Sequence, residues 1–116
     1  MYGELGGVVA GAFESPDKVG RGAYLSPAAA AMSFDAMATT LNAQGQHLVY
    51  QQVPAEVFVN FFPGAEEMAQ MTGHWEEYTY LGPDGANKIA LGHAIRTAPI
   101  RDFAWWAAEN LQPVPR

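Results

Sequence analysis

The chain has 116 residues, of which 49% are hydrophobic and 16% charged, and its formal net charge is −6. This length predicts a single domain, residues 1–116, and the composition is typical of a globular protein rather than a disordered one. A negative chain without a basic cluster is a poor partner for nucleic acid, and the absence of cysteine excludes disulfides, thiolate metal sites and cysteine nucleophiles. There is no apolar run of membrane-spanning length and no secretory signal pattern, so we expect a cytoplasmic protein without membrane contact.

The first predicted element is a helix over the stretch YGELGGVVAGAF. Its apolar residues lie at helical spacing and form one stripe: Leu5, Val8, Val9, Ala12 and Phe13. Glu4 suits the positive end of the helix dipole. The glycines are expected to lie inside this helix, where small residues permit close packing at a cost of about 1 kcal/mol each relative to Ala.

The same glycines superficially resemble a dinucleotide-binding loop. That fingerprint requires a strand before the glycines and a fixed spacing between them. No strand precedes Gly3 in this sequence, and Val9 stands where the third glycine of the fingerprint is needed. We therefore expect no NAD(P) site and no other cofactor in this chain.

Turn residues at 15–17 and 20–22 are expected to end the first helix, and 23–25 is a short strand candidate. Ser33 is the expected N-cap of a second helix that closes near Gly45, with the stripe Phe34, Met37, Ala38 and Leu41. Residues 47–53 read as a strand. Pro54 is expected as the first residue of a helix that ends at 63–64 and carries Val57, Phe58, Phe61 and Phe62.

A longer helix is predicted next, ending before 82–85, with Met68, Met71, Trp75 and Tyr78 along one face. Residues 89–95 fit either a strand or a helix. A last helix is expected from about Pro99. Its apolar stripe is Ile100, Phe103, Trp106 and Ala107. On this spacing Trp106 faces inward, and Trp105 flanks it at an interface. Together these elements predict a small helix-rich α+β domain with a few short strands.

The order of several pieces resembles the C-terminal region of NmrA-like proteins, atypical members of the short-chain dehydrogenase/reductase superfamily. The matching pieces are GELGGVVAGAF, PDKVGRGAYLS, MSFDAMATTLNAQG, VYQQVPAEVF, EEYTYLG and DFAWWAAENL. In that family an N-terminal Rossmann domain binds NAD(P), and the smaller C-terminal region shapes the substrate pocket. The resemblance implies a substrate-pocket domain without the cofactor loop or the catalytic Lys or Tyr of the family's reductases.

Aromatic and methionine residues on three successive predicted elements are the candidate binding residues. They form either plain core or the wall of an apolar pocket. The candidate substrate-binding residues are Tyr50, Phe58, Phe61, Phe62, Met71, Trp75 and Tyr78.

Candidate proton carriers lie on the same predicted helix. Glu76, Glu77 and His74 are the residues that acid–base catalysis would use. The three histidines, His47, His74 and His93, lie on separate elements without the spacing of a zinc site, so no metal site is expected.

These observations leave three hypotheses open. The first is a module that binds an apolar small molecule or a partner, as a homo-oligomer or with a separate Rossmann-bearing chain. The second is a stand-alone non-redox isomerase, cyclase or lyase acting on an apolar metabolite. The third is a fragment of an NAD(P)-dependent NmrA-type oxidoreductase.

Overall fold

The computed structural model describes residues 2–22 and 24–115, and within these ranges the regular structure is entirely helical. The helices are α1 (Tyr2–Glu14), α2 (Pro16–Val19), α3 (Phe34–Ala43), α4 (Ala55–Phe58), α5 (Ala65–Tyr78), α6 (Gly85–Ile95) and α7 (Phe103–Asn110). The expected α+β class is therefore wrong: the described part of the chain has no strand and no sheet. None of its helices is long and apolar enough to cross a membrane.

The missing strands have a physical cause. A strand is stabilised by pairing with a neighbour, and β-propensity within one segment does not supply that neighbour. Residues 47–53 contain no helix, turn or bend, but they pair with no other strand in the described ranges. Tyr24 and Leu25 are also irregular, whereas Ala23 lies outside the described residues. The ambiguous stretch 89–95 is helical, as part of α6.

The chain divides into two compact units. Unit 1 comprises Met1–Tyr50 and Asn87–Arg116, and unit 2 comprises Gln51–Ala86.

Among the unit 1 residues whose burial the structure describes, few apolar side chains are buried: Val8 on α1, Ile95 on α6 and Ala107 on α7. Helices α3 and α7 pack together, and the Gln44 side chain donates a 2.8 Å hydrogen bond to the Ala104 carbonyl. This contact joins the end of α3 to the first turn of α7. The interior of unit 1 is thus built from small residues and backbone contacts more than from large side chains.

Two glycines of α1, Gly7 and Gly11, lie close to residues 95–98 of unit 1. A Cβ atom on Gly11 would lie 1.7 Å from the carbonyl oxygen of Ile95, and one on Gly7 would lie 3.3 Å from Cβ of Ala98. The Gly7 carbonyl accepts a 3.1 Å hydrogen bond from the backbone N–H of Thr97. The prediction that glycines inside α1 permit close packing is therefore confirmed for Gly7 and Gly11, whereas a Cβ atom on Gly6 would meet no atom within 4 Å.

The predicted apolar stripe of α1 is wrong for most of its length. Leu5, Val9 and Phe13 are 45%, 44% and 83% exposed. The buried face instead carries Gly7, Val8 and Gly11. Backbone contact through the glycines decides which side of α1 turns inward, and it leaves the larger apolar residues on the outer side.

Capping residues account for two helix starts in unit 1. Ser33 caps α3 as predicted, because its Oγ accepts a 3.1 Å hydrogen bond from the Ala36 N–H. Asp102 caps α7 through a 2.9 Å bond from the Trp105 N–H. The last helix therefore begins at Phe103, and the expectation of a start near Pro99 is wrong because Asp102 fixes the first turn later in the chain.

Unit 2 consists mainly of α4 and α5, which pack against each other. Pro54 precedes α4 as its N-cap residue rather than as its first helical residue, and α4 ends at Phe58 instead of reaching 63–64. Gly64, with φ of 90°, precedes α5, which covers the predicted stripe from Met68 to Tyr78. The buried apolar residue of this unit is Ala65.

Candidate functional site

Unit 2 carries a set of aromatic and methionine side chains that reach solvent, which we call the aromatic surface. It comprises Phe58, Phe61 and Phe62 from α4 and the turn after it, and Met71, Trp75 and Tyr78 from α5. These are the candidate substrate-binding residues with the exception of Tyr50. The structure therefore places them on two consecutive elements of one unit.

Phe58 is the centre of the phenylalanine group. Its ring centroid lies 5.5 Å from that of Phe61 and 5.7 Å from that of Phe62, the latter in an edge-on arrangement. These are ordinary separations for interacting aromatic rings. Phe58 is half-buried, whereas Phe61 is 57% and Phe62 42% exposed. One ring thus anchors two others that remain open to solvent.

The C-terminal half of α5 carries two further aromatic pairs. The His74 and Tyr78 rings are 4.9 Å apart, as expected for residues one helical turn apart. The Trp75 ring meets the edge of the Tyr80 ring at 5.0 Å. Tyr80 was missed in the sequence because it follows the end of α5, where Thr79 has φ of 60° and the helical spacing no longer applies.

Tyr50 belongs to unit 1. Its ring stacks on that of Phe34, with centroids 6.3 Å apart and an interplanar angle of 24°. Phe34 was predicted only as a member of the α3 stripe, and both rings are in fact exposed, Phe34 by 55% and Tyr50 by 44%. Helical spacing within α3 gives no signal for this pair, because its second member lies outside any helix.

The candidate proton carriers lie on α5 and face solvent. Glu76, Glu77 and His74 are all exposed. General acid–base pairs rely on burial or a close partner that separates the two groups in proton affinity. Among residues 2–22 and 24–115, no three or more His, Asp and Glu side chains are grouped as a metal site requires.

Two open grooves lie on unit 1. The first, of about 540 Å³, is lined by Asn42, Gly45, Gln46, His47, Leu48, Val49, Pro113 and Val114. The second, of about 410 Å³, is lined by His93, Ala94, Arg96, Thr97, Ala98 and Pro99. Neither groove includes any of the predicted site residues. His93 is held by a 2.8 Å hydrogen bond between its Nε2 and the Ala29 carbonyl, which can only accept, so Nε2 carries a proton.

The clearest electrostatic contact joins the start of α1 to the segment before α7. The Arg101 side chain donates a hydrogen bond to the Glu4 carboxylate and forms an ion pair with it. This bond, supported by a backbone N–H of Glu4, holds the pKa of the carboxyl below its ordinary value. The same guanidinium lies 4.5 Å from the centroid of the Trp105 ring, a cation–π contact.

Trp105 and Trp106 differ as predicted. Trp105 is 42% exposed, whereas Trp106 is half-buried and stacks on Phe103 at 6.3 Å. The inward face of α7 was therefore correctly read from helical spacing. The Arg101 contact covers part of Trp105, and no signal in the sequence pattern indicated it.

Comparison of the chain with protein-family models, with curated proteins and with solved structures finds no match. The resemblance to NmrA-like proteins therefore remains a prediction.

Proposed function

We propose that this chain is a binding module of the NmrA-like type, without an NAD(P) site of its own, whose aromatic surface forms one wall of an apolar pocket. A separate Rossmann-bearing chain supplies the opposite wall and the cofactor. The observation that carries the proposal is the exposure of the aromatic surface on a unit as small as Gln51–Ala86. Phe61, Phe62 and Tyr78 are 57%, 42% and 54% exposed.

The exposure of these rings argues for a shared pocket rather than a pocket within unit 2. A pocket that holds an apolar molecule encloses most of the ligand surface. Rings that are about half exposed would enclose little of a ligand's surface. A cluster of exposed apolar groups typically marks an interaction site. The methionines support the same reading, because Met68 and Met71 are 43% and 41% exposed and such side chains adapt to different ligands.

Catalysis by the chain acting without a partner is less well supported by the geometry. Glu76, Glu77 and His74 have the correct chemistry for proton transfer, but each faces solvent on α5. A second chain on the aromatic surface would cover His74, whose ring lies beside that of Tyr78. Glu76 and Glu77 lie roughly 100° or more around α5 from the face that carries Met71, Trp75 and Tyr78. The hypothesis of an isomerase, cyclase or lyase therefore stays a prediction, and it requires the same Rossmann-bearing partner chain.

The first test asks whether the chain holds the cofactor. Titration with NADPH, followed by the fluorescence of the three tryptophans, is expected to give no saturable change. The second test mixes the chain with a panel of purified Rossmann domains from NmrA-like proteins and measures complex formation by size-exclusion chromatography with light scattering. We expect a one-to-one complex with at least one member of the panel.

A matched pair of variants locates the contact. The double variant Phe61→Ser, Phe62→Ser removes two exposed rings from the aromatic surface and is expected to abolish the complex. The variant Phe13→Ser removes an 83% exposed ring from unit 1 and is expected to leave the complex unchanged. Saturable NADPH binding by the chain without a partner, or no complex with any Rossmann domain, would contradict the proposal.

A further inference from the structure

Residues 47–50 are a short segment of β-type sequence that has no strand partner in the described ranges, and we call it the edge segment. It reads His-Leu-Val-Tyr and contains no helix, turn or bend. Valine and tyrosine, here at the adjacent positions 49 and 50, favour a paired strand. The segment is strongly exposed, with Val49 at 93%, Leu48 at 46% and Tyr50 at 44%.

On one side of the edge segment, the backbone groups are already hydrogen-bonded as they would be in a paired strand. The carboxamide of Asn42 donates a 2.8 Å hydrogen bond to the Leu48 carbonyl and accepts one of 2.8 Å from the Leu48 N–H. This pair of bonds is what a residue on a neighbouring antiparallel strand would make. The N–H and C=O of Leu48 therefore point to the same side, towards Asn42, as they do in a β-strand.

The opposite side is open. In a strand, the backbone groups of successive residues point to alternate sides, so those of Val49 point away from Asn42 when Leu48 points towards it. Within residues 2–22 and 24–115, no group donates to the Val49 carbonyl or accepts from its N–H. A row of open backbone groups is a template for pairing with another chain.

The charge distribution favours a second copy of this chain as the occupant. The chain has a formal net charge of −6, so two copies repel each other over most of their surface. Between Asp35 and Glu56, however, the sequence contains no Asp, Glu, Lys or Arg. The edge segment lies within this uncharged stretch, so no charged side chain from its own sequence neighbourhood opposes the approach of a second copy.

We propose that two copies of the chain associate through antiparallel pairing of their edge segments, with Val49 opposite Val49 of the second copy. The two Val49 residues exchange both of their backbone hydrogen bonds, and Leu48 lies opposite Tyr50. Two-fold symmetry permits this register, since each residue then meets its partner across the axis, and the open backbone groups and 93% exposed side chain of Val49 favour placing Val49 at that axis. The pairing is independent of the aromatic surface of unit 2.

The chain contains no cysteine, so a single introduced cysteine reports on this register without background. In a hydrogen-bonded antiparallel pair the facing Cα atoms are about 5.5 Å apart, within the range that a disulfide bridges. Val49→Cys is therefore expected to form a covalent dimer on mild oxidation. Tyr50→Cys is the control: its two copies would be about 8 Å apart in this register, which is too far for a disulfide.

A second pair of variants separates the backbone from the side chain. Val49→Pro removes the N–H that each copy donates across the axis, whereas Val49→Ala shortens the side chain and keeps that donor. By analytical ultracentrifugation at high protein concentration, Val49→Pro is expected to weaken dimerisation by about tenfold or more, the effect of losing two ordinary hydrogen bonds. The effect of Val49→Ala on the dimer dissociation constant is expected to be several times smaller than that of Val49→Pro.

Circular dichroism establishes that each variant keeps the helical content of the wild type. Equal cross-linking of Val49→Cys and Tyr50→Cys would overturn the proposal. It would show that the two copies meet by random collision and not in one fixed strand register. The proposal would also be overturned by a wild-type chain that remains monomeric throughout, or by equal dimerisation of Val49→Pro and Val49→Ala. A dimer lost in the variant Phe61→Ser, Phe62→Ser but kept in Val49→Pro would assign association to the aromatic surface instead.

Discussion

Helices α1 and α5 have similar lengths and the same type of sequence, an apolar stripe at helical spacing with glycine inside the helix, yet they bury different residues. In α1 the glycine side is buried: Gly7, Val8 and Gly11 face inward while Leu5, Val9 and Phe13 are exposed. In α5 only Ala65 is buried, and Gly73 faces open space. An apolar stripe thus indicates a helix in both cases, but it does not indicate which side packs against the protein.

The two helices differ because the backbone of another segment lies close to Gly11 of α1 but not to Gly73 of α5. Gly11 lies against the Ile95 carbonyl, so the position tolerates no Cβ, whereas a Cβ on Gly73 would meet no atom within 4 Å. The same residue type therefore serves close contact in one helix and only lowers helix propensity in the other. Three sets of substitutions test this contrast, and a fourth tests the ion pair between Glu4 of α1 and Arg101.

Gly11→Ala is expected to have the largest effect. The added methyl group would lie 1.7 Å from the Ile95 oxygen and 2.5 Å from its carbonyl carbon, so α1 must move away. We expect a loss of about 3 kcal/mol in the free energy of unfolding, at the upper end for overpacking. Chemical denaturation followed by circular dichroism measures it. Gly6→Ala in the same helix, with no atom within 4 Å, is the control and is expected to be neutral or stabilising.

Ile95→Ala is expected to cost about 2 kcal/mol, at the lower end for truncation of a buried isoleucine. Ile95 is 5% exposed, and unit 1 has few other buried apolar side chains to compensate. Met71→Ala on α5 is the matched change at an exposed position and is expected to cost well under half as much. Equal losses for the two variants, measured by thermal denaturation, would show that α5 contributes to a core at Met71 as α6 does at Ile95.

Gly73→Ala is expected to stabilise the protein by about 1 kcal/mol, the difference in helix propensity between the two residues. No atom within 4 Å would contact the added methyl group. The gain appears as a higher denaturation midpoint with an unchanged m-value. A destabilised Gly73→Ala variant would mean that α5 is as closely packed at this point as α1 is at Gly11.

Arg101→Gln is expected to have the smallest effect, and the effect depends on pH. Because Arg101 lowers the pKa of Glu4 in the folded state, the ion pair stabilises the protein at neutral pH, and this contribution is lost as the pH falls through the lowered pKa. The wild type and the variant should therefore converge in stability on acidification. In NMR titration, the pKa of the Glu4 carboxyl should rise in the variant.

Arg21→Gln removes one positive charge from an exposed position and serves as the charge control. It is expected to leave the pKa of Glu4 in place. A Glu4 pKa that is the same in Arg101→Gln and in the wild type would show that Arg101 does not lower it.

Local signals in the sequence were sufficient for several elements. Ser33 has the chemistry of an N-cap, and the spacing from Met68 to Tyr78 identified α5. What the sequence lacked was information on contacts between distant residues. The strand character of 47–53 is real in composition, but a partner strand is needed to form a ladder, and the inward side of α1 depends on Ile95, far along the chain.

In the candidate site, too, contacts between near sequence neighbours could be predicted, whereas other contacts could not. The pairing of His74 with Tyr78 follows from their separation by one helical turn, and the grouping of Phe58 with Phe61 and Phe62 follows from proximity in sequence. Phe34 beside Tyr50, and Tyr80 beside Trp75, were not predicted, because one member of each pair lies outside a helix. The substrate-binding and catalytic roles of these residues stay predictions.

The contact at Gly11 has a consequence for the outer side of α1. Rotating α1 about its axis, or sliding it by one residue, would bring the methyl group of Ala10 or Ala12 to the place now taken by the hydrogen of Gly11. The Ile95 carbonyl thus opposes a small rotation or shift of α1 that would place an alanine methyl group against it. Leu5, Val9 and Phe13 are held towards solvent by that contact, so their outward direction is a property of the fold and not the result of a loosely seated helix.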